Sequence, residues 1–170
     1  MLDQQIHHDA ADTADYAVIR AKIAALTEGE TDPVALMATV ASELHGSDAR
    51  FDWTGFYRVV DEDLLKIGPY QGGHGCLTIP FAKGVCGRCA RTGEVQLIPD
   101  VEDVGDHIAC STTTRSEIVL PVRDASGKVI AVLDIDSDEL DAFDAIDVAG
   151  LTEILADTFA RHAAPAMAAE

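Results

Sequence analysis

Four cysteines carry the most reactive chemistry in the sequence: Cys76, Cys86, Cys89 and Cys110. Cys110 stands alone in the middle of PDVEDVGDHIACSTTTR, a stretch from Pro99 to Arg115 with neither helical nor strand period. Aperiodic runs of this length inside compact domains are usually functional loops or disordered segments. The apolar cluster Ile108-Ala109-Cys110 favours an ordered loop folded over a site. A thiol there reads either as a small buried hydrophobe or as a nucleophile whose thiolate is favoured by nearby positive charge or by N–H groups at a helix start. Ser111 to Thr114 offer such a start, and His107 or Arg115 the charge.

The other three thiols supply what a redox-active nucleophile needs in order to turn over. A thiol that takes up an oxygen becomes a sulfenic acid, which a second cysteine converts to a disulfide that a dithiol donor can reduce. Cys86-Gly87-Arg88-Cys89 has the two-residue spacing of redox and zinc motifs. A structural zinc site normally wants a second close pair, and Cys76 and Cys110 stand far apart, so no metal site and no cofactor are expected. Cys89 also reads as a core residue of the short helix that carries it.

Acids and aromatics add a second set. Trp53 and Tyr57 lie four apart on a strand and share a face, and so do Asp134 and Asp136, two apart on VIAVLDID. Glu117 opens the neighbouring strand EIVLPV. Singly, each has an ordinary reading as core or as surface acid. Together they describe a pocket for a small cation such as the ammonium group of a free amino acid. Crowded acids also raise one another's pKa, so such a pocket can hold a protonated carboxyl group beside the leaving oxygen of a sulfoxide.

These residues must be positioned by the elements around them. Tyr16, Ile19, Ile23 and Leu26 recur at helical spacing, as do Val34, Met37, Val40 and Leu44. Thr31 or Asp32 is the N-cap of the second helix, Pro33 its first residue and Gly46 its stop. From Phe51 the period becomes two, with Phe51, Trp53, Gly55, Tyr57 and Val59 on one face. The turn Asp61-Glu62-Asp63 then leads into LLKIGPY. CLTIP and VQLI are short strands flanking the helical turn GVCGRCARTG. EIVLPVRD and VIAVLDID form a further hairpin about Ala125 to Lys128, and Val148, Leu151, Leu155 and Phe159 mark a closing helix. The expectation is an α+β domain, a central antiparallel sheet with N- and C-terminal helices on one face and active-site loops on the other. It spans residues 14–162, between tails at 1–13 and 163–170.

Composition narrows the partners. The 170 residues are 48% hydrophobic, enough for one core. Thirty acidic residues against twelve basic ones give a formal charge of -18, which repels nucleic-acid backbones and anionic membranes. The opening MLDQQIHHDAADTADY lacks a basic start followed by an apolar run, and no apolar stretch is long enough to span a bilayer. A cytoplasmic protein is expected, where isolated thiols are catalytic or redox-sensing rather than a structural disulfide framework.

WTGFY, the cysteine before the third strand, GVCG, DHIAC, SEIVLPV and AVLDIDS, in this order between Trp53 and Ser137, resemble the free methionine-(R)-sulfoxide reductases, which are stand-alone GAF domains. With the flanking helices the likeness runs from about residue 14 to 160. It implies that Cys110 attacks the sulfoxide sulfur, that methionine leaves Cys110 as a sulfenic acid, and that Cys76 resolves it as a disulfide. Cys86 is then the family's third cysteine and an alternative resolver. Trp53, Tyr57, Glu117, Asp134 and Asp136 are implied to line the substrate pocket, thioredoxin to donate electrons, and the chain to form a homodimer. Cys89 departs from the family pattern, in which a small non-thiol residue is expected, and raises the option of a Cys86 to Cys89 disulfide. The alternative function is a non-catalytic GAF domain that binds a small ligand or senses redox state.

Overall fold

The structure, a computed structural model, describes residues 14–160 apart from His107 and Ala109. The tails assigned to 1–13 and 163–170, and the expected role of His107, lie outside the described residues. Four α-helices and six strands follow in the order α1 (Tyr16–Leu26), α2 (Pro33–His45), β1 (Trp53–Asp61), β2 (Leu64–Gln71), β3 (Thr78–Pro80), α3 (Gly84–Thr92), β4 (Gln96–Ile98), β5 (Ser116–Arg123), β6 (Val129–Ser137) and α4 (Ala145–Phe159). A single 3-10 turn, Val101–Asp103, interrupts the long segment before β5.

Local chemistry sets the helix ends. The Asp32 side chain accepts hydrogen bonds from the Val34 and Ala35 N–H groups at 2.7 and 3.0 Å, Pro33 follows it, and Gly46 ends α2. That satisfies donors a helix start would otherwise leave orphaned. Asp15 caps α1, and Asp144 and Asp147 cap each other reciprocally at the start of α4.

All sheet pairings are antiparallel, in the order β3-β2-β1-β6-β5-β4. Strand alternation divides the molecule into layers. Phe56 of β1, Ile118, Leu120 and Val122 of β5, and Ala131, Leu133 and Ile135 of β6 point to one face. They pack with Ile23 of α1, Leu36, Val40 and Leu44 of α2, and Leu151, Ile154 and Phe159 of α4. Each such large side chain, once buried, contributes about 1.5–3 kcal/mol. The opposite face carries Trp53, Tyr57, Val119 and Val132 and is covered by α3 and by the loops around Cys76 and Cys110. The chain therefore has the expected α+β layering, with terminal helices on one face and loops on the other.

Phe51 departs from the expected pattern. The chain bends at Asp52 before β1 begins, so the alternation does not run back through it. Phe51 lies in the helix-side core with its ring 6.0 Å from that of Phe143, away from Trp53 and Tyr57. Beside it a buried ionic network ties the helix layer together. Arg50 bonds Asp48 at 2.7 Å and Asp147 at 3.0 Å, and the Tyr16 hydroxyl donates to Asp147 at 2.6 Å. No described helix is long and apolar enough to cross a membrane.

Candidate active site

Register, not sequence proximity, assembles the site. Across the sheet Trp53 of β1 stands opposite Asp136 of β6, which stands opposite Glu117 of β5. One pleat further along, Gly55, Asp134 and Val119 form a parallel row. The three acids thus share the loop-covered face, and carboxylate oxygens from Glu117, Asp134 and Asp136 all lie within 4.8 Å of one another. Glu117 and Asp134 are each only 5% exposed, and Asp136 is half-buried. The Cys86 thiol hydrogen-bonds the Asp134 side chain, whose Oδ1 is fully buried.

Aromatic rings form the wall beside the acids. Trp53 stacks on Tyr57 at 5.8 Å and on Tyr70 at 5.5 Å between centroids. Gly55 makes that stack possible: a Cβ there would sit 2.5 Å from the Trp53 ring and 2.5 Å from Tyr70 Cβ. The indole N–H of Trp53 donates to the Gly73 carbonyl at 3.1 Å, and the Tyr57 hydroxyl lies against the Cys76 backbone N–H. The rings therefore also anchor the loop that carries Cys76.

Cys76 and Cys110 are joined as a disulfide, with Cα atoms 5.2 Å apart across 34 positions of sequence. The bond pins the loop between β2 and β3 to the long segment before β5, at the edge of the carboxylate cluster. Cys110, Ile108, Ser111 and Thr114 roof a cavity of about 20 Å³ whose floor is Glu117, Asp134 and Asp136 and whose side is Gly84, Val85 and Cys86 of α3. Gly84 has φ +71°, which a residue with a Cβ rarely adopts, and its bare Cα receives Ile108: a Cβ would meet that side chain at 3.1 Å. A larger cleft of about 430 Å³ opens on the other side of Cys110, between Trp53, His74, Asp136 and the outer acids Asp52 and Asp138.

Cys86 and Cys89 are free, buried thiols, so no disulfide joins them. Burial pushes the Cys86 thiol up, reinforced by the charge of Asp134 beside it. Burial likewise pushes Cys89 up to about 12, and its Sγ sits 3.8 Å from the Val119 carbonyl oxygen in the core. Both are protonated at neutral pH, and Cys89 packs as core.

The acids are shifted in the same direction. Burial, then repulsion from Asp136, lifts Glu117 up to about 8, opposed by Arg88. Burial and the charge of Glu117 raise Asp134, and burial with the charges of Asp134, Asp138 and Asp52 raises Asp136. In a low-dielectric pocket three adjacent carboxylates cannot all ionise. The arrangement can hold a proton and a negative charge side by side, the pairing that binding an ammonium group and polarising an oxygen require.

All eight residues singled out in the sequence, Trp53, Tyr57, Cys76, Cys86, Cys110, Glu117, Asp134 and Asp136, are brought together on this face. Ser111 to Thr114 do not start a helix, contrary to expectation: they form bends that run into β5. Tyr70, Asp52, Asp138 and His74 were missed. Tyr70 alternates with Gly68 on β2, and its neighbour across the sheet is Gly55, a pairing only the register reveals.

Comparison with known proteins gives consistent matches. A sequence model of the family described as GAF domain matches residues 30–165. The chain is 44% identical over 140 residues to protein YtsP of Bacillus subtilis, covering 82% of this chain and 85% of that protein. It is 38% identical over 144 residues to the free methionine-R-sulfoxide reductase of Escherichia coli, covering 85% of this chain and 86% of that enzyme. A crystal structure of free methionine-R-sulfoxide reductase from Neisseria meningitidis in complex with its substrate superposes with a TM-score of 0.77 at 41% identity, covering 82% of this chain and 83% of that one.

Proposed function

The chain belongs to the GAF domain family and, within it, to the free methionine-R-sulfoxide reductases, and from that premise we propose that it reduces free methionine-(R)-sulfoxide to methionine with Cys110 as nucleophile and Cys76 as resolving thiol. The observation that carries this reading is the Cys76–Cys110 disulfide at the rim of a buried carboxylate cluster. It is the product such a cycle leaves behind.

In the reduced protein the Cys110 thiolate attacks the sulfoxide sulfur. The oxygen passes to Cys110, giving a sulfenic acid, and methionine departs with sulfur reduced. Cys76 then displaces the oxygen as water and forms the disulfide, which an external dithiol, thioredoxin in our reading, reduces by exchange. Glu117, Asp134 and Asp136 divide two tasks. An acid held neutral by burial hydrogen-bonds the sulfoxide oxygen as charge develops on it, while an ionised neighbour faces the ammonium group. Trp53 and Tyr57 lend aromatic faces to the aliphatic and cationic parts of the substrate. Cys86, protonated beside Asp134, is the reserve resolver. A cytoplasmic homodimer completes the reading.

YtsP carries no activity in its name, and a related Burkholderia vietnamiensis structure is described as a sensor protein. A sensor binds without consuming. With a dithiol donor, the purified protein is expected to convert the free R sulfoxide to methionine, to leave peptide-bound sulfoxide untouched, and to lose activity on Cys110→Ser. Binding without consumption would overturn the catalytic reading, and turnover by Cys110→Ser would remove the nucleophile.

A further inference from the structure

The segment that carries Cys110 is held to the fold by side chains. Among the described residues, no backbone hydrogen bond ties 105–114 to α3 or to the sheet. Val104, Ile108 and Cys110 pack against the site-face core, and the Cys76–Cys110 bond fastens the far end. The remaining tie is ionic. Arg88 Nη2 of α3 lies 3.4 Å from Asp106 Oδ1. Arg88 stands four residues after Gly84, so both face the same way on α3, and Ile108 packs over Gly84. One side of α3 thus receives the segment twice, through Ile108 at one turn and Asp106 at the next. The helix is a firm support, because Val85, Cys86, Cys89 and Ala90 are all buried.

We propose that Arg88 is a positioning residue for Cys110: its ion pair with Asp106 docks the Cys110 segment on α3 and thereby favours closure of the Cys76–Cys110 disulfide. The pair forms only while the segment lies against the helix. The disulfide demands the same placement, because it holds the Cα atoms of Cys76 and Cys110 5.2 Å apart. Two interactions that need one arrangement stabilise each other, and the coupling is reciprocal. The pair raises the equilibrium fraction of the bonded form, and the bond tightens the pair. Arg88 is half-buried and Asp106 exposed, so the coupling is that of a surface ion pair, about two- to fivefold in an equilibrium constant, and salt screens it. Neither residue lines the cavity or the cleft beside Cys110, so the effect passes through the position of the segment. The charge of Arg88 also reaches Glu117, which it opposes being raised. Removing Asp106 undoes the docking and leaves that charge in place, so the two residues separate the two effects.

The test uses the whole chain and no substrate. Oxidised protein is equilibrated against mixtures of reduced and oxidised dithiothreitol, then denatured and alkylated. Mass spectrometry then separates the bonded form, with two thiols alkylated, from the reduced form, with all four. Arg88→Gln and Asp106→Asn are each expected to shift the equilibrium toward the reduced protein by about two- to fivefold, which at about 30 mV per tenfold is about 9–21 mV. The double variant is expected to shift no further than either single change, since one interaction is lost once. In about 1 M salt the wild type is expected to join the variants. Melting curves of the oxidised variants verify that the fold is kept. Glu62→Gln, at the exposed β1–β2 turn, is expected to leave the equilibrium where it is. Absence of the shift in either single variant, or shifts that add in the double variant, overturns the proposal. Because no turnover is measured, its failure leaves the reductase reading standing, and failure of the reductase assay leaves this result standing.

Discussion

Reducing the Cys76–Cys110 bond is expected to loosen the fold and open the site together. The disulfide closes a loop of 34 positions, for which the chain-entropy relation gives about 4 kcal/mol of stabilisation at room temperature. At roughly 2–4 °C per kcal/mol for a chain of this size, reduction should lower the melting temperature by roughly 8–16 °C. Differential scanning calorimetry of oxidised and reduced protein measures this directly, and Cys76→Ser should melt like the reduced wild type whether or not reductant is present. The same bond keeps the roof of Ile108, Cys110, Ser111 and Thr114 closed over a cavity of about 20 Å³. Cys110→Ser, which cannot form the bond and cannot react, should therefore bind methionine sulfoxide in a calorimetric titration, and oxidised wild type should not. Coincident melting of the two redox forms, or binding by the oxidised wild type as tight as by Cys110→Ser, would refute the idea that this disulfide seals the pocket.

Three further outcomes follow from the buried groups. Glu117 is raised to about 8 and Asp134 and Asp136 are raised with it, so the folded state binds protons that the unfolded chain has released. Their contribution is present in full below the ordinary carboxylate range and is lost as pH rises through about 8. Asp48, held low by Arg50 against the cost of burial, works the other way and fails as pH falls. Denaturation midpoints measured in EDTA should hence decline from about pH 5 to pH 9, and Asp134→Asn should flatten the decline; a midpoint that climbs across this range contradicts the shifts. Cys86 and Cys89 should resist thiol reagents in the oxidised native protein and titrate only on unfolding, and Cys89→Ala should retain turnover, since its thiol sits in the core. Arg50→Ala strands Asp48 and Asp147 without their cation and should cost about 3–5 kcal/mol in urea denaturation, while the folded fraction keeps its kcat.

The elements were legible wherever one face meets water or a neighbour's side chains in regular alternation. VIAVLDID and EIVLPV show period two because each strand has a helix-covered face and a site face, and DPVALMATVASELHG shows its cap, its first-turn proline and its stop. Legibility failed where the chain changes direction within a residue or two. Asp52 bends the chain, so Phe51 joins the opposite core although it stands in phase with the alternation. The turn Val101–Asp103 is capped by Asp100, which accepts from Glu102 N–H at 2.9 Å. That device spans too few residues to produce a period. Which cysteines pair was equally out of reach of spacing alone, because closure over 34 positions is decided by tertiary contacts such as Trp53 on Gly73 and Tyr57 on Cys76.

The acids raise a sharper point, because the chain also buries Asp48 and Asp147, away from the candidate site. Asp48 and Asp147 lie deep in the helix layer, and the sequence alone does not show that they are buried. The difference is Arg50, whose guanidinium bonds both, with a further bond to the Ala142 carbonyl at 2.6 Å. Every charge there is answered locally, and Asp48 is held in its ionised form. On the other face Glu117 sits opposite Asp136, with Asp134 one pleat away, where apolar residues would pack at no electrostatic cost. The cation that opposes Glu117, Arg88, is half-buried and pairs with Asp106 at 3.4 Å. A fold tolerates such mutual repulsion only where the rest of the structure imposes it, and such conflicts gather at functional sites. Burial alone therefore does not mark the site; carboxylates pressed against one another do, and that is a property of strand register, which becomes visible only when β1, β5 and β6 are laid side by side.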